Sequence, residues 1–219
     1  MKLVIVAQDA RSLHQAASVA TAAGIELAGV VAPGWVPPVV QLPAPLITDT
    51  AMQLDRRDCN LYVAGDATML NSQRLALMLQ YKAAGFRFAT LIAHDALVDA
   101  GVRLRENTLI GFRANLRAGV DVGANVVIGD LAAIGHGAHI GQSAWIGRDC
   151  VVGDDCRVGR NCVLGEGVRL AAGCVLEPWS VLPAGTRLGA SPRGTIFIDA
   201  LFRAPVVLRG RATLEGSKP

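Results

Sequence analysis

The sequence predicts a chain in two parts: a small parallel α/β domain over residues 1–90, then an all-β coil of stacked triangular turns over residues 91–193, closed by a tail over 194–219. Two patterns carry this. Short apolar runs alternate with helix-patterned segments up to residue 90, and beyond it an aliphatic residue returns at every sixth position. Composition agrees, since 24 glycines and only 5% aromatic residues suit a repeat architecture better than a disordered chain.

The first element is the apolar run Leu3–Ala7, read as a buried strand. A single Lys precedes it, without the longer apolar region and small-residue cleavage site of a secretory signal, so the expected location is cytoplasmic. Arg11–Gly24 follows, rich in helix-forming Ala and Gln and stopped by glycine. Ile25–Val31 reads as a second strand, ended by the Pro/Gly cluster Ala32–Pro38, and Asn60–Gly65 reads as a third. Leu70, Leu77, Met78 and Tyr81 then fall on one face of a helix closed by Gly85. Such alternation implies a small parallel sheet with covering helices.

From Ile92 to Leu188, seventeen consecutive positions in steps of six are Ile, Val or Leu. The next residue is Gly at ten of them, and the residue four places on is small almost throughout, Pro192 being the exception. A short strand with alternating side chains turns one aliphatic residue inward, and a turn follows at each corner. Three hexads then close one coil of 18 residues, and coils stack by strand pairing at about 4.8 Å. Residues 18 apart lie one above another, and the small residue fits where the faces converge. Cys150, Cys156, Cys162 and Cys174 keep step with this repeat and match no zinc or C-x-x-C spacing, so they read as core. Cys59 stands alone before a strand.

A net charge of +3 and no long uncharged apolar stretch argue against a nucleic-acid or membrane partner. Residues 193–219 hold five basic against two acidic residues, with apolar "IFIDALF" and "APVVL", and suggest a cap over the last coil.

The hexads, following an α/β domain, resemble the bacterial left-handed β-helix (hexapeptide-repeat) sugar acetyltransferases of the sialic-acid O-acetyltransferase and bacillosamine N-acetyltransferase type. The resemblance implies a Rossmann-like α/β substrate or lid domain, a left-handed parallel β-helix and a homotrimer. It also implies acetyl-CoA bound between neighbouring β-helices, a sugar or related polar acceptor, and no metal. The phrase "IGHGAHIG" (Ile134–Gly141) aligns with the one that carries the family's catalytic histidine, which puts the general base at His136. The acidic neighbour of that histidine is Gly137 here, and stacking offers Asp154, 18 residues on, to orient it. The alignment puts acetyl-CoA contacts at Trp145, Glu166 and Ala184. Trp145 could equally cover the trimer interface, and Glu166 also completes a charge ladder with Asp130 and Arg148.

Acceptor contacts fall at Asp9, Arg11, Gly65 and Asp66, but Ala7–Ser12 holds no glycine where the family has a glycine-rich phosphate turn. Ala32 and Pro33 stand in place of the family's paired aspartates, and its arginine reappears only at Arg74. An acceptor other than a nucleotide-sugar is therefore favoured. His139 reads as structural or substrate-lining, and His14 and His94 as surface or packing residues. The alternative to an acyltransferase is a catalytically silent trimeric β-helix that binds or assembles.

Overall fold

The computed structural model describes residues 2–33, 44–47, 54, 59–197 and 206–208, with the side chains of 68, 69 and 206–208 left aside. Strand β1 (Lys2–Val6) lies between β2 (Leu27–Val31) and β3 (Cys59–Val63) in a parallel sheet. Its side chains alternate between two cores: Leu3 and Ile5 pack with Leu13, Ala16 and Ala20 of α1 (Ala10–Ala22), whereas Val4 and Val6 pack with Met78 and Tyr81 of α2 (Ser72–Ala83). A parallel sheet covered on both faces needs apolar residues on both sides, which is why β1 reads as an unbroken apolar run. The helix face foreseen from Leu70, Leu77, Met78 and Tyr81 begins later than expected. Leu70 sits in a 3-10 turn (Thr68–Asn71), and Leu70 and Asn71 both adopt positive φ before α2 starts. Beyond Pro33, the predicted turn cluster Ala32–Pro38 lies outside the described residues.

Every one of the seventeen hexads forms a two-residue strand, with the predicted aliphatic residue in its second position. The strands make a parallel β-solenoid of three faces, in sheets of eight, six and five strands; the largest includes two strands of the tail. Partners are 18 residues apart throughout, as in Val127 opposite Trp145 and Ile134 opposite Val152. The inward aliphatics and the small corner residues form one continuous core from Ile110 to Leu182. Each fully buried Val, Leu or Ile contributes about 1.5–3 kcal/mol. The four repeat cysteines belong to this core as free thiols, and the thiols of Cys150, Cys156 and Cys162 donate to the carbonyls of Gly165, Ala171 and Glu177 at 3.0, 3.0 and 3.2 Å. Burial pushes Cys150 and Cys162 up to about 11, so both stay protonated near neutrality.

What seats the α/β layer is the outside of the first face. Leu91, Leu109 and Val127 point outward there, yet they are only 0, 2 and 3% exposed because α1 and the three-stranded sheet cover them. A polar seam runs beside this contact. Asn107, Asn125 and Ser143 stack at one corner, the Asn107 amide donating to Asn125 Oδ1 at 2.7 Å and the Asn125 amide to Ser143 Oγ at 3.0 Å. Asn107 Oδ1 also accepts from the Val63 N–H at 2.8 Å, which fastens β3 to the solenoid.

The tail returns to the solenoid. Thr195–Phe197 joins the first face beside Val181, Ile196 is buried in the solenoid core, and Val206–Leu208 pairs antiparallel with it. Arg193 is exposed; Asp199, Arg203, Arg209, Arg211, Glu215 and Lys218 lie outside the described residues. Among the described residues no helix is long and apolar enough to cross a membrane.

Candidate active site

A groove of about 1030 Å³ runs between the α/β layer and the corner that follows the first face. One wall is the polar side of α1, where Arg11, His14, Gln15 and Ser18 recur at helical spacing. The loop after β3 adds Gly65, Asp66 and Ala67. The opposite wall is the corner stack Asp130, Arg148 and Glu166, and the floor is Phe112, Val127, Trp145 and Val163. Trp145 is half-buried, packed against the apolar cluster beneath α1, so its indole presents a flat apolar surface to the groove. The Arg148 guanidinium pairs loosely with Asp130 at 3.8 Å.

Four features fix the histidine corner. His136 is exposed, in the turn after the second-face strand Ala133–Ile134. Its backbone N–H donates to Asp154 Oδ1 at 2.8 Å. Its carbonyl accepts from the Asp155 N–H at 2.8 Å. Its ring Nε2 receives a long contact from Arg117 Nε at 3.4 Å, and that guanidinium also pairs with Asp99 at 3.5 Å. His139 lies on the third face, its Nδ1 3.9 Å from Asp121, which also binds Arg103 at 3.1 Å, so it belongs to a different surface.

Five of the residues expected from sequence, Arg11, Gly65, Asp66, Trp145 and Glu166, come together in the one groove. Ala184 is exposed one coil above Glu166 and is not among the groove's lining residues. Three of the expected residues have other engagements in the structure. Asp154 does not hold the imidazole of His136; it accepts from the main chain. The same device recurs at Asp130, whose Oδ1 accepts from the Phe112 N–H at 3.0 Å one coil below, which marks it as a way of satisfying corner amides. Asp9, expected at the acceptor, is engaged by its own helix. It caps α1, accepting from the Ser12 N–H at 2.8 Å and the Ser12 hydroxyl at 2.6 Å, so the helix N-terminus already holds a carboxylate. Gly65 has a packing reason, because a Cβ there would stand 2.8 Å from Gln8 Oε1 and 3.3 Å from Arg74 Cβ.

Arg74 is the residue whose place sequence reasoning missed most completely. It is 1% exposed and donates to the carbonyls of Val63, Asn107 and Asn125, each at 2.7 Å, and to the Tyr62 hydroxyl at 2.9 Å. Burial pulls this guanidinium below its ordinary value and pushes the Tyr62 hydroxyl up, and the contact between them partly offsets both shifts. Arg74 therefore points away from the groove. His14, Gln15 and Ser18 were missed as groove residues too, although the polar stripe of α1 signalled them.

A family profile described as the GMPPB C-terminal domain matches residues 87–186. No curated protein matches the chain. Among solved structures, the acetyltransferase domain of PglB from Neisseria gonorrhoeae FA1090 is similar, with a TM-score of 0.80 at 18% identity, covering 94% of this chain and 99% of that one. PerB from Caulobacter crescentus, in complex with CoA and GDP-perosamine, is similar with a TM-score of 0.66 at 24% identity, covering 89% of this chain and 92% of that one. WeeI from Acinetobacter baumannii AYE gives a TM-score of 0.63 at 10% identity, over 94% and 100% of the two chains. At these identities the likeness is one of fold, and it takes in both the α/β layer and the solenoid.

Proposed function

We propose that this chain is an acyl-CoA-dependent acyltransferase that moves acetyl from acetyl-CoA to a hydroxyl or amine of a sugar-like acceptor, with His136 as general base. On this reading residues 1–90 are a Rossmann-like acceptor or lid domain, residues 91–193 a left-handed β-helix that carries the chemistry, and residues 194–219 a cap. The observation that carries the reading is the joint arrangement of α/β layer and solenoid over 94% of the chain, in the architecture of a solved acetyltransferase domain. The complex of PerB with CoA and GDP-perosamine supports the choice of co-substrate and of a sugar acceptor.

The residues fit that chemistry. His136 stands exposed at a corner, where its imidazole is open to an acceptor. Acetyl-CoA supplies an activated acyl carbon. His136 takes the proton of the acceptor O–H or N–H as its lone pair attacks that carbon, and returns the proton to sulfur when the C–S bond breaks. Trp145, Arg148 and Glu166 give the groove one flat apolar surface and charges of both signs for a polar ligand. Asp9 closes the N-terminus of α1 to a diphosphate, which favours an acceptor held by its sugar and by Arg11.

His136 and the groove lie on different corners of one chain, which supports a site completed between copies, as in a homotrimer. Thermal melting with CoA and thiol release from acetyl-CoA over a panel of amino sugars test the reading. The melting temperature is expected to rise with CoA concentration, and His136→Gln is expected to keep that rise while losing transfer. A chain that shows no shift at saturating CoA and releases no thiol overturns the reading.

A further inference from the structure

An imidazole that accepts a proton in a reaction needs a nearby anion to offset the charge it gains and to hold its ring. Three aspartates lie at the His136 corner and on the coils beside it, and two of their carboxylates are already engaged. Asp154 accepts from the His136 amide at 2.8 Å. Asp99 accepts from the Ala118 amide at 3.1 Å and pairs with Arg117 at 3.5 Å. The third is Asp155, whose carboxylate has no side-chain hydrogen bond or ion pair among the described residues.

Its position is specific. The corresponding corner position of four other coils is Gly101, Gly119, Gly137 and Gly173, and of these five positive-φ positions only Asp155, at φ 54, carries a side chain. That side chain folds down over the residue next to His136. A Cβ built on Gly137 would stand 2.5 Å from Asp155 Oδ1, so the carboxylate fills the space that a side chain at 137 would take. The Asp155 amide meanwhile holds the His136 carbonyl at 2.8 Å, which ties the two turns together. The stripe of bare glycines leaves nothing else at this corner to compete for the space.

We propose that Asp155 is the positioning residue for His136: a carboxylate delivered from the next coil into the place beside the histidine that Gly137 leaves empty. Its carboxylate offsets the charge that His136 gains with the acceptor's proton, and it opposes the pull of Arg117 on the same ring. The inference rests on His136 being the base of the transfer reaction.

Moving the carboxylate tests it. Asp155→Gly makes the corner uniform with the other coils, so the variant is expected to fold with an unchanged melting profile. It and Asp155→Asn are expected to lose on the order of 10²-fold in kcat, with KM for acetyl-CoA changed by less than about twofold. Adding Gly137→Asp to Asp155→Gly restores a carboxylate at the same place from the adjacent residue, and kcat is expected to recover most of the loss. Gly137→Asp alone sets two side chains in one space and is expected to lower the melting temperature. Wild-type kcat in Asp155→Asn and Asp155→Gly, beside an inactive His136→Gln, overturns this inference and leaves the transferase reading intact. A double variant as slow as Asp155→Gly assigns Asp155 to the scaffold and also overturns it. A wild-type chain without transfer activity overturns both readings together.

Discussion

Asp154 and Asp155 are consecutive, exposed and chemically identical, yet the corner uses them for different ends. Asp154 satisfies an amide one coil below, as Asp130 does for Phe112, and a neutral oxygen serves that purpose nearly as well. Asp154→Asn keeps such an oxygen, so its kcat is expected within about twofold of wild type, whereas Asp154→Ala strands the His136 amide and costs about 1 kcal/mol of stability. Kinetics and thermal melting of the two variants check this, and a large fall in kcat for Asp154→Asn would return that residue to the mechanism. The 18-residue stacking rule, read from the hexads alone, led to the coil above His136 and to Asp154, whose Oδ1 the main-chain N–H of His136 engages. Stacking gives the vertical neighbour of a residue. The destination of a side chain depends on turn geometry, and the left-handed conformation of Asp155 has no mark in the hydrophobic pattern.

At the level of elements, the strands and helices were legible because each is a period written in apolar residues. Ile134 and Ile146 declare their inward direction, and Leu13, Ala16 and Ala20 declare the buried face of α1. The seam between the two parts was not legible, since it is polar and draws on residues distant in sequence. Arg74 falls on the helix face marked by Leu70, Leu77, Met78 and Tyr81, but a lone Arg on a helix is ordinarily solvated. Here it bridges the end of β3 to two solenoid corners through three carbonyls, with Asn71 adding bonds to the carbonyls of Asn125 and Ser143 at 3.3 and 3.2 Å. Arg74→Leu fits the volume but leaves the Asn107 carbonyl buried without its donor, and leaves the Val63 and Asn125 carbonyls with only the longer bonds from Asn107 and Asn71 at 3.3 Å. Its unfolding free energy is expected to fall by roughly 3–5 kcal/mol, read by denaturant titration. Because Val63 precedes the groove residues Gly65 and Asp66 by only a few positions, the same change is expected to raise KM for the acceptor before it affects kcat. A variant as stable as wild type would show that the apolar contacts of Leu91, Leu109 and Val127 alone seat the layer.

On the scale of the whole molecule, the prism geometry separates the parts that the proposed chemistry has to join. Trp145 and Glu166 line the groove beside the corner that ends the first face, whereas His136 belongs to the corner that ends the second, one side of the triangle away. A rigid, continuously packed core does not let one chain close that distance, so on the proposed reading a second copy supplies the histidine. A cyclic assembly repeats one such contact at every subunit boundary, each site drawing its groove from one chain and its imidazole from the next. This gives a quantitative expectation for mixing two inactive chains. His136→Gln keeps an intact groove, and Trp145→Arg, which places a charge on the apolar floor, keeps an intact histidine. Co-refolded in equal amounts, they form trimers in which a boundary joins the intact groove to the intact histidine with a chance of one in four, so about one quarter of wild-type activity is expected to return. If groove and histidine of the same chain formed the site, every chain in the mixture would carry one defect and the mixture would stay inactive.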